Sequence, residues 1–261
     1  MGKLISIVTG KGGMGKSTLT ELVATFLNAY TDLKITVIDA DVDQNTLVET
    51  RATDILNLQT NIYLQNLYKK RYIDKGKKLY EVIGLLPTNK LITYEIKEGK
   101  IFYKKQDIDY LETLAKIVKQ NDLTFIDFPG SKAVPGVKET MFYLDYAITP
   151  IYFSKKIFLE SIRTLSYLKK LKESDKSRLK DFAGFINRYE DRKHKKFNEK
   201  VKNLLEEKGI KMLSPVYYNK DYELDRYNTL KPIENSPYRK NISYFINDVL
   251  KLIKLEKEIK I

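Results

Sequence analysis

Hydrophobic positions along this chain fall into two alternating patterns. "LISIVT" (Leu4 to Thr9) is an unbroken apolar, β-branched run bounded by glycines, the pattern of a strand buried on both faces of a parallel sheet. Leu19, Leu22, Val23, Phe26, Leu27 and Tyr30 then recur at helical spacing, and "ITVID" (Ile35 to Asp39) reads as a second buried strand, completing a βαβ unit. After Asp107 the alternation returns with a helix to about Gln120, a strand "LTFIDF" (Leu123 to Phe128) and a strand "YAITPI" (Tyr146 to Ile151). Phe158, Ile162, Leu165 and Leu168 mark a helix, "FAGFIN" (Phe182 to Asn187) a strand, and Phe197 to Lys208 a helix. "KMLSPV" (Lys211 to Val216) reads as a further strand, and a last helix starts near Pro237. With no internal repeat or proline-rich linker, the pattern predicts one α/β domain over 1–261, a doubly wound, mostly parallel sheet with helices on both faces. Residues 57–105 fit it least. They hold one expected strand, Tyr80 to Thr88, in polar, tyrosine-rich sequence, and a peripheral insertion is expected there.

Length and composition narrow the chemistry. A chain of 261 residues with 43% hydrophobic content can bury a substantial core. The absence of cysteine removes disulfides, thiolate metal sites and a cysteine nucleophile, and fits a reducing compartment. The single histidine, His194, stands in a run of charges and is expected to be a solvated surface residue, which leaves no histidine-based triad or metal site. The first apolar run ends in glycines where a secretory leader would continue, and no stretch approaches a membrane span, so the protein is expected in the cytoplasm.

"VTGKGGMGKSTLT" (Val8 to Thr20) carries the most specific signal. Gly10, Gly15, Lys16 and Ser17 satisfy G-x-x-x-x-G-K-[ST] between a predicted strand and a predicted helix, the setting of a P-loop NTPase. Gly10, Gly12, Gly13 and Gly15, with Lys11 and Met14, form a loop whose backbone N–H groups can face phosphate, and the helix N-terminus adds positive potential. Lys16 is placed for the β and γ phosphates, Ser17 for Mg²⁺ and Thr18 for the α phosphate. Lys11 has no role in that local chemistry, because a residue five positions earlier points away from where Lys16 reaches.

"KGGMGKST" (Lys11 to Thr18) resembles the deviant phosphate-binding motif of the ParA/MinD family of P-loop ATPases. The resemblance implies that Lys11 crosses a dimer interface to the phosphates on a partner subunit, so that ATP becomes part of a homodimer contact. "VIDADVDQN" resembles the family's acidic D-x-D-P-Q segment, with Val42 in place of the proline and Asp43 as an additional residue. Asp39, Asp41 and Asp43 are therefore alternative candidates for orienting the attacking water, and Asp39 also for the Mg²⁺ shell. "FIDFPG" (Phe125 to Gly130) reads as the second acidic strand and switch, with Asp127 acting on Mg²⁺ and Gly130 offering its N–H to the γ phosphate. "FINR" resembles the family's adenine-reading segment, with Asn187 on the base and Arg188 beside it; Pro215 and "VYYN" (Val216 to Asn219) are expected to complete the pocket. No N-K-x-D guanine signature is present: the nearest match, "NKDY", ends in Tyr222, and ATP is preferred over GTP.

Charge suggests the larger partner. Lysine and arginine number 47 against 34 acidic residues, a net charge of +13 that favours a polyanion. Two stretches concentrate it, Lys69 to Lys78 with six basic residues against one acidic, and Arg188 to Lys202 with seven against three. In the second, Lys193, Lys195, Lys196, Lys200 and Lys202 are left for solvent or phosphate backbone when Phe197, Val201, Leu204 and Leu205 face the core. The family resemblance implies nonspecific DNA binding by the ATP-bound dimer, stimulation by a ParB-like centromere-binding activator, and action on the nucleoid in plasmid, chromosome or mobile-element partition. MinD-like relatives act instead at the membrane through a C-terminal amphipathic helix; the counterpart is the stripe Ile242, Phe245, Ile246, Val249, Leu250 and Ile253, which reads better as a packed helix face.

Overall fold

The computed structural model describes residues 2–41, 46–60, 62–130, 134–218 and 236–255. Its elements run β1 (Lys3–Ile7), α1 (Lys16–Tyr30), β2 (Ile35–Asp39), α2 (Thr46–Thr60), α3 (Ile62–Arg71), a 3₁₀ turn (Ile73–Lys75), β3 (Glu81–Leu86), β4 (Lys90–Lys97) and β5 (Lys100–Asp107). There follow α4 (Tyr110–Gln120), β6 (Leu123–Asp127), α5 (Val137–Met141), β7 (Tyr146–Ile151), α6 (Lys155–Lys172), β8 (Asp181–Tyr189), α7 (Asp191–Glu207), β9 (Lys211–Met212), β10 (Val216–Tyr217) and α8 (Ser236–Leu252). The strands build one sheet in the order β10-β8-β7-β1-β6-β2-β3-β4-β5, with β9 paired to β8. All pairings are parallel except β3 with β4 and β4 with β5.

Continuous apolar strands are what a doubly covered sheet demands, and alternate residues do part to opposite faces. Leu4, Ile38, Ile126, Ala147 and Ile186 pack with Leu114 of α4, Leu165 of α6 and Val201 and Leu205 of α7. Their neighbours Ile5, Val37, Phe125, Ile148 and Phe185 pack on the other face with Leu22 and Phe26 of α1 and Phe245 and Val249 of α8. The stripe weighed above as a lipid anchor is thus buried on the sheet: Ile242, Phe245, Ile246, Val249, Leu250 and Ile253 are each at most 1% exposed.

Segment 57–105 supplies the end of α2, α3, the 3₁₀ turn and three strands. Within it β3 lies beside β2 in the parallel sheet with Val82, Leu85 and Leu86 buried, while β4 and β5 form a hairpin at the sheet margin. Two expectations need correction. "KMLSPV" is not one strand: two-residue β9 and β10 flank Ser214 and Pro215, because proline has no N–H to continue a ladder. His194 is not solvated: α7 begins six residues before Phe197, which puts His194, Phe197 and Val201 on one inward face. His194 is 9% exposed, its ring lies 4.8 Å from that of Phe153, and its Nδ1 accepts the Glu190 N–H at the start of the helix.

Candidate functional site

β1 is flanked by β6 on one side and β7 on the other, so the chain order reverses at its carboxyl end. Open α/β sheets form their ligand crevice at such a point. There the loop Val8–Gly15 turns into α1, and Gly15 takes a left-handed φ of +67° as N-cap while its carbonyl accepts the Leu19 N–H. A side chain is poorly tolerated in that conformation, which explains the glycine before Lys16. Gly13 has φ +72°, Gly12 and Gly13 are exposed, Met14 is buried, and Gly10 lies against the Glu160 carboxyl group of α6. Thr9 Oγ1 donates to the Lys11 carbonyl at 2.8 Å. No acidic side chain occupies the first turn of α1, leaving its positive end uncompensated.

Two lysines project from this loop region. Lys16 is 7% exposed and Lys11 half-buried, and among the described residues neither has an ion-pair partner. Ser17 Oγ donates to Asp127 Oδ2 at 2.5 Å, whereas Asp127 Oδ1 is buried without a hydrogen-bond partner among the described residues. An orphaned carboxylate oxygen beside a hydroxyl is the hard-oxygen donor set that Mg²⁺ takes, with phosphate and water completing its shell. The described residues contain no cluster of three or more His, Cys or acidic groups that could hold a metal ion. Burial pushes the Asp127 carboxyl up to about 7, opposed by the Ser17 hydrogen bond and the Lys16 charge and reinforced by Asp39 and Asp41.

The two aspartates of the acidic segment sit differently. Asp39 ends β2 in register with Asp127 on β6, and its Oδ2 accepts Leu47 N–H at 2.9 Å and Val48 N–H at 3.4 Å. Its Oδ1 accepts the Asp41 N–H at 3.1 Å. Asp39 therefore anchors the start of α2, and burial nonetheless raises its carboxyl to about 6. Asp41 follows it at partial exposure, and Asp43 lies outside the described residues. Gly130 packs on the phosphate loop itself: a Cβ there would stand 2.5 Å from Gly12 Cα and 3.6 Å from the Lys11 carbonyl carbon.

At the other side of the crevice, Val216 pairs with Asn187, which brings Pro215 beside Asn187 and the exposed Arg188 at the ends of β8 and β10. One residue here had not been singled out. Tyr152, directly after β7, donates its hydroxyl hydrogen to the Met14 carbonyl and accepts from Asn187 Nδ2 at 2.7 Å. The available signal was its place, one residue past the carboxyl end of a buried strand. The lysines named from α7, Lys193, Lys195, Lys196, Lys200 and Lys202, are all exposed; Lys193 pairs with Glu190 and Lys202 with Glu206, both at the surface. In the earlier basic stretch, Lys77 is turned to the Thr31 carbonyl and Asp32.

Behind the crevice, Glu21 of α1 is buried beside Arg51 of α2, whose guanidinium lies 4.2 Å over the Tyr80 ring. Burial raises Glu21 to about 8, opposed by Arg51. Glu21, Asp39 and Asp127 thus hold protons that the unfolded chain releases near pH 4, so the folded state binds more protons between pH 4 and 8. Stability then falls as pH rises through that window, by up to about 1.4 kcal/mol per pH unit for each carboxyl. The melting temperature of the nucleotide-free protein is expected to drop from pH 6 to pH 8.5, and Glu21→Gln to flatten the upper half of the decline. A melting temperature that climbs with pH would contradict these assignments.

Comparison with known proteins agrees with this architecture. The model of the CobQ/CobB/MinD/ParA nucleotide binding domain matches residues 5–230. An uncharacterised ATP-binding protein of Methanocaldococcus jannaschii is 24% identical over 228 residues, covering 84% of this chain and 86% of that protein. Among solved structures, a plasmid partition protein from Borrelia burgdorferi B31 bound to AMPPNP superposes with a TM-score of 0.62 at 21% identity, over 96% of this chain and 98% of the other. A chain of the MinC:MinD cell division protein complex from Aquifex aeolicus gives 0.60 at 18% identity, over 99% of both chains. At those identities the superpositions speak for the fold, and the family model, spanning the phosphate loop, Asp39, Asp127 and Asn187, speaks for descent. The chain belongs to the ParA/MinD family of nucleotide-binding P-loop proteins.

Proposed function

We propose that this chain is a Mg²⁺-dependent ATPase of the ParA kind, which dimerises around ATP, binds DNA nonspecifically and releases it after hydrolysis, in partition of a plasmid, chromosome or mobile element. The observation that carries the reading is the contact of Gly130 with the Lys11–Gly12 peptide. A γ phosphate held by the Gly130 N–H would steady the segment that presents Lys11, linking nucleotide state to the one loop cation left over after Lys16. In the dimer, Lys11 neutralises phosphate bound to the partner, and Lys16 does so in its own site.

The residues divide the chemistry as follows. Backbone N–H groups of Gly12 to Thr18 cradle the phosphates, and Thr18 contacts the α phosphate. Ser17 and Asp127 would hold Mg²⁺, with Asp39 behind them; when bound, the ion would supply positive charge against the charge that develops on the phosphates. Since both Asp39 oxygens serve backbone N–H groups, Asp41 and Asp43 are the candidates for positioning the attacking water. Asn187, Arg188 and Pro215 receive the adenine.

Five exposed lysines on α7 supply DNA phosphate contacts, weak in one copy and effective in two. The expected setting is the cytoplasm, on the nucleoid, with a ParB-like activator. The apolar face of α8 is occupied by the sheet, which ranks the MinD-like membrane reading second. A DNA mobility assay without nucleotide, with ADP and with ATP should show an ATP-dependent, salt-sensitive shift in the native protein. Lys11→Ala should lose both that shift and the ATP-dependent rise in mass by light scattering. Equal shifts without ATP in the native protein, Lys11→Ala and Lys16→Ala would leave only basicity and defeat the proposal.

A further inference from the structure

The geometry points to Tyr152 as the residue that sets base specificity, by locking the side-chain amide of Asn187 in one orientation. The inference rests on the reading of Asn187 as the base contact. Asn187 Oδ1 accepts the N–H of Arg188 at 3.0 Å, and Asn187 Nδ2 donates to Tyr152 Oη at 2.7 Å. The Tyr152 hydroxyl has its single hydrogen on the Met14 carbonyl, so toward Asn187 it can only accept. Turning the amide over would set Nδ2 against the Arg188 N–H, donor facing donor, and Oδ1 against Tyr152 Oη, acceptor facing acceptor. Asn187 is 8% exposed, where such mismatches go uncompensated by water.

The lock has chemical consequences for the base. With one hydrogen of Nδ2 and one lone pair of Oδ1 engaged, the amide keeps one donor and one acceptor in fixed places. Adenine carries a donating amino group at C6, and guanine an accepting oxygen at the same position. An amide free to turn over can satisfy either; a locked one satisfies a single pattern. The same hydroxyl bonds the carbonyl of Met14, and a Cβ on Gly15 would stand 3.4 Å from it, so the base-reading strand and the phosphate loop meet on one oxygen atom. Tyr152 is on this account a positioning residue: it touches the base only through Asn187.

Tyr152→Phe removes the hydroxyl and keeps the ring. In the full chain, dissociation constants for ATP, GTP and inorganic tripolyphosphate, which has no base, should be measured by fluorescence competition for the native protein, Tyr152→Phe and Asn187→Ala, with thermal melts as the check on folding. The preference for ATP over GTP is expected to fall about tenfold in Tyr152→Phe, the loss equivalent to one hydrogen bond, while tripolyphosphate affinity reads separately what the phosphate loop loses with its Met14 tie. Asn187→Ala should abolish the preference. A native preference for ATP over GTP that survives intact in Tyr152→Phe would overturn the lock while leaving the ATPase reading in place. A native protein with no preference for ATP would instead remove Asn187 as the base contact, and the lock with it.

Discussion

Lys16→Ala is expected to lower ATP turnover by at least about a thousandfold while leaving the protein folded. Lys16 is 7% exposed in the first turn of α1, close enough to Asp127 to lower its pKa, and has no ion-pair partner among the described residues. A buried cation held beside a carboxyl group that burial pushes toward its neutral form is poised for a polyanion, and triphosphate supplies the missing charge. Removing the ammonium therefore leaves the β and γ phosphates in a desolvated crevice with only N–H dipoles to meet them. Phosphate release under saturating ATP measures the loss, and circular dichroism confirms the fold. Turnover within tenfold of the native rate would show that the loop does not act on phosphate as described.

Gly130→Ala is expected to cut turnover by about a hundredfold or more, through displacement of the phosphate loop. The added Cβ would lie 2.5 Å from Gly12 Cα and 2.8 Å from Gly12 N. Both are backbone atoms on a loop tied down by Thr9 and Tyr152, so no side-chain rotation relieves the overlap. Either the switch segment or the loop must move, and a shift near 1 Å in either misplaces the groups that face the γ phosphate. The stability cost is smaller, about 1–3 kcal/mol, typical of overpacking. Melting and single-turnover hydrolysis together separate the two effects. The result that counts against the contact is native turnover with a native melting temperature.

Much of the architecture was legible because parallel strands buried on two faces leave an unmistakable apolar run. β1, β2, β6, β7 and β8 all fall within a residue or two of the runs read for them. The first half of α7 was not legible, since Asp191 to Lys196 is almost wholly charged and the inward residue there is a histidine, His194. Nor did periodicity reveal α2 and α3, and α2 carries Arg51, which packs inside against Tyr80 and Glu21. A buried cation in the middle of a helix reads as a polar position until its partners, 30 residues before it and 29 after, are brought to it.

What the sequence by itself determined is the chemistry that lies within a few consecutive residues. The phosphate loop, its second lysine, and the acid groups ending β2 and β6 are local, because backbone N–H groups and a strand end act where they stand. Tertiary structure alone decided what depends on convergence: that Asp39 is absorbed in holding α2, that Gly130 rests on the peptide bearing Lys11, and that Tyr152 joins Asn187 to Met14. Those contacts span 8, 118, 35 and 138 positions of the chain. Hydrogen bonds and steric exclusion act over about 3 Å, so no linear pattern encodes which distant residue will arrive at that range.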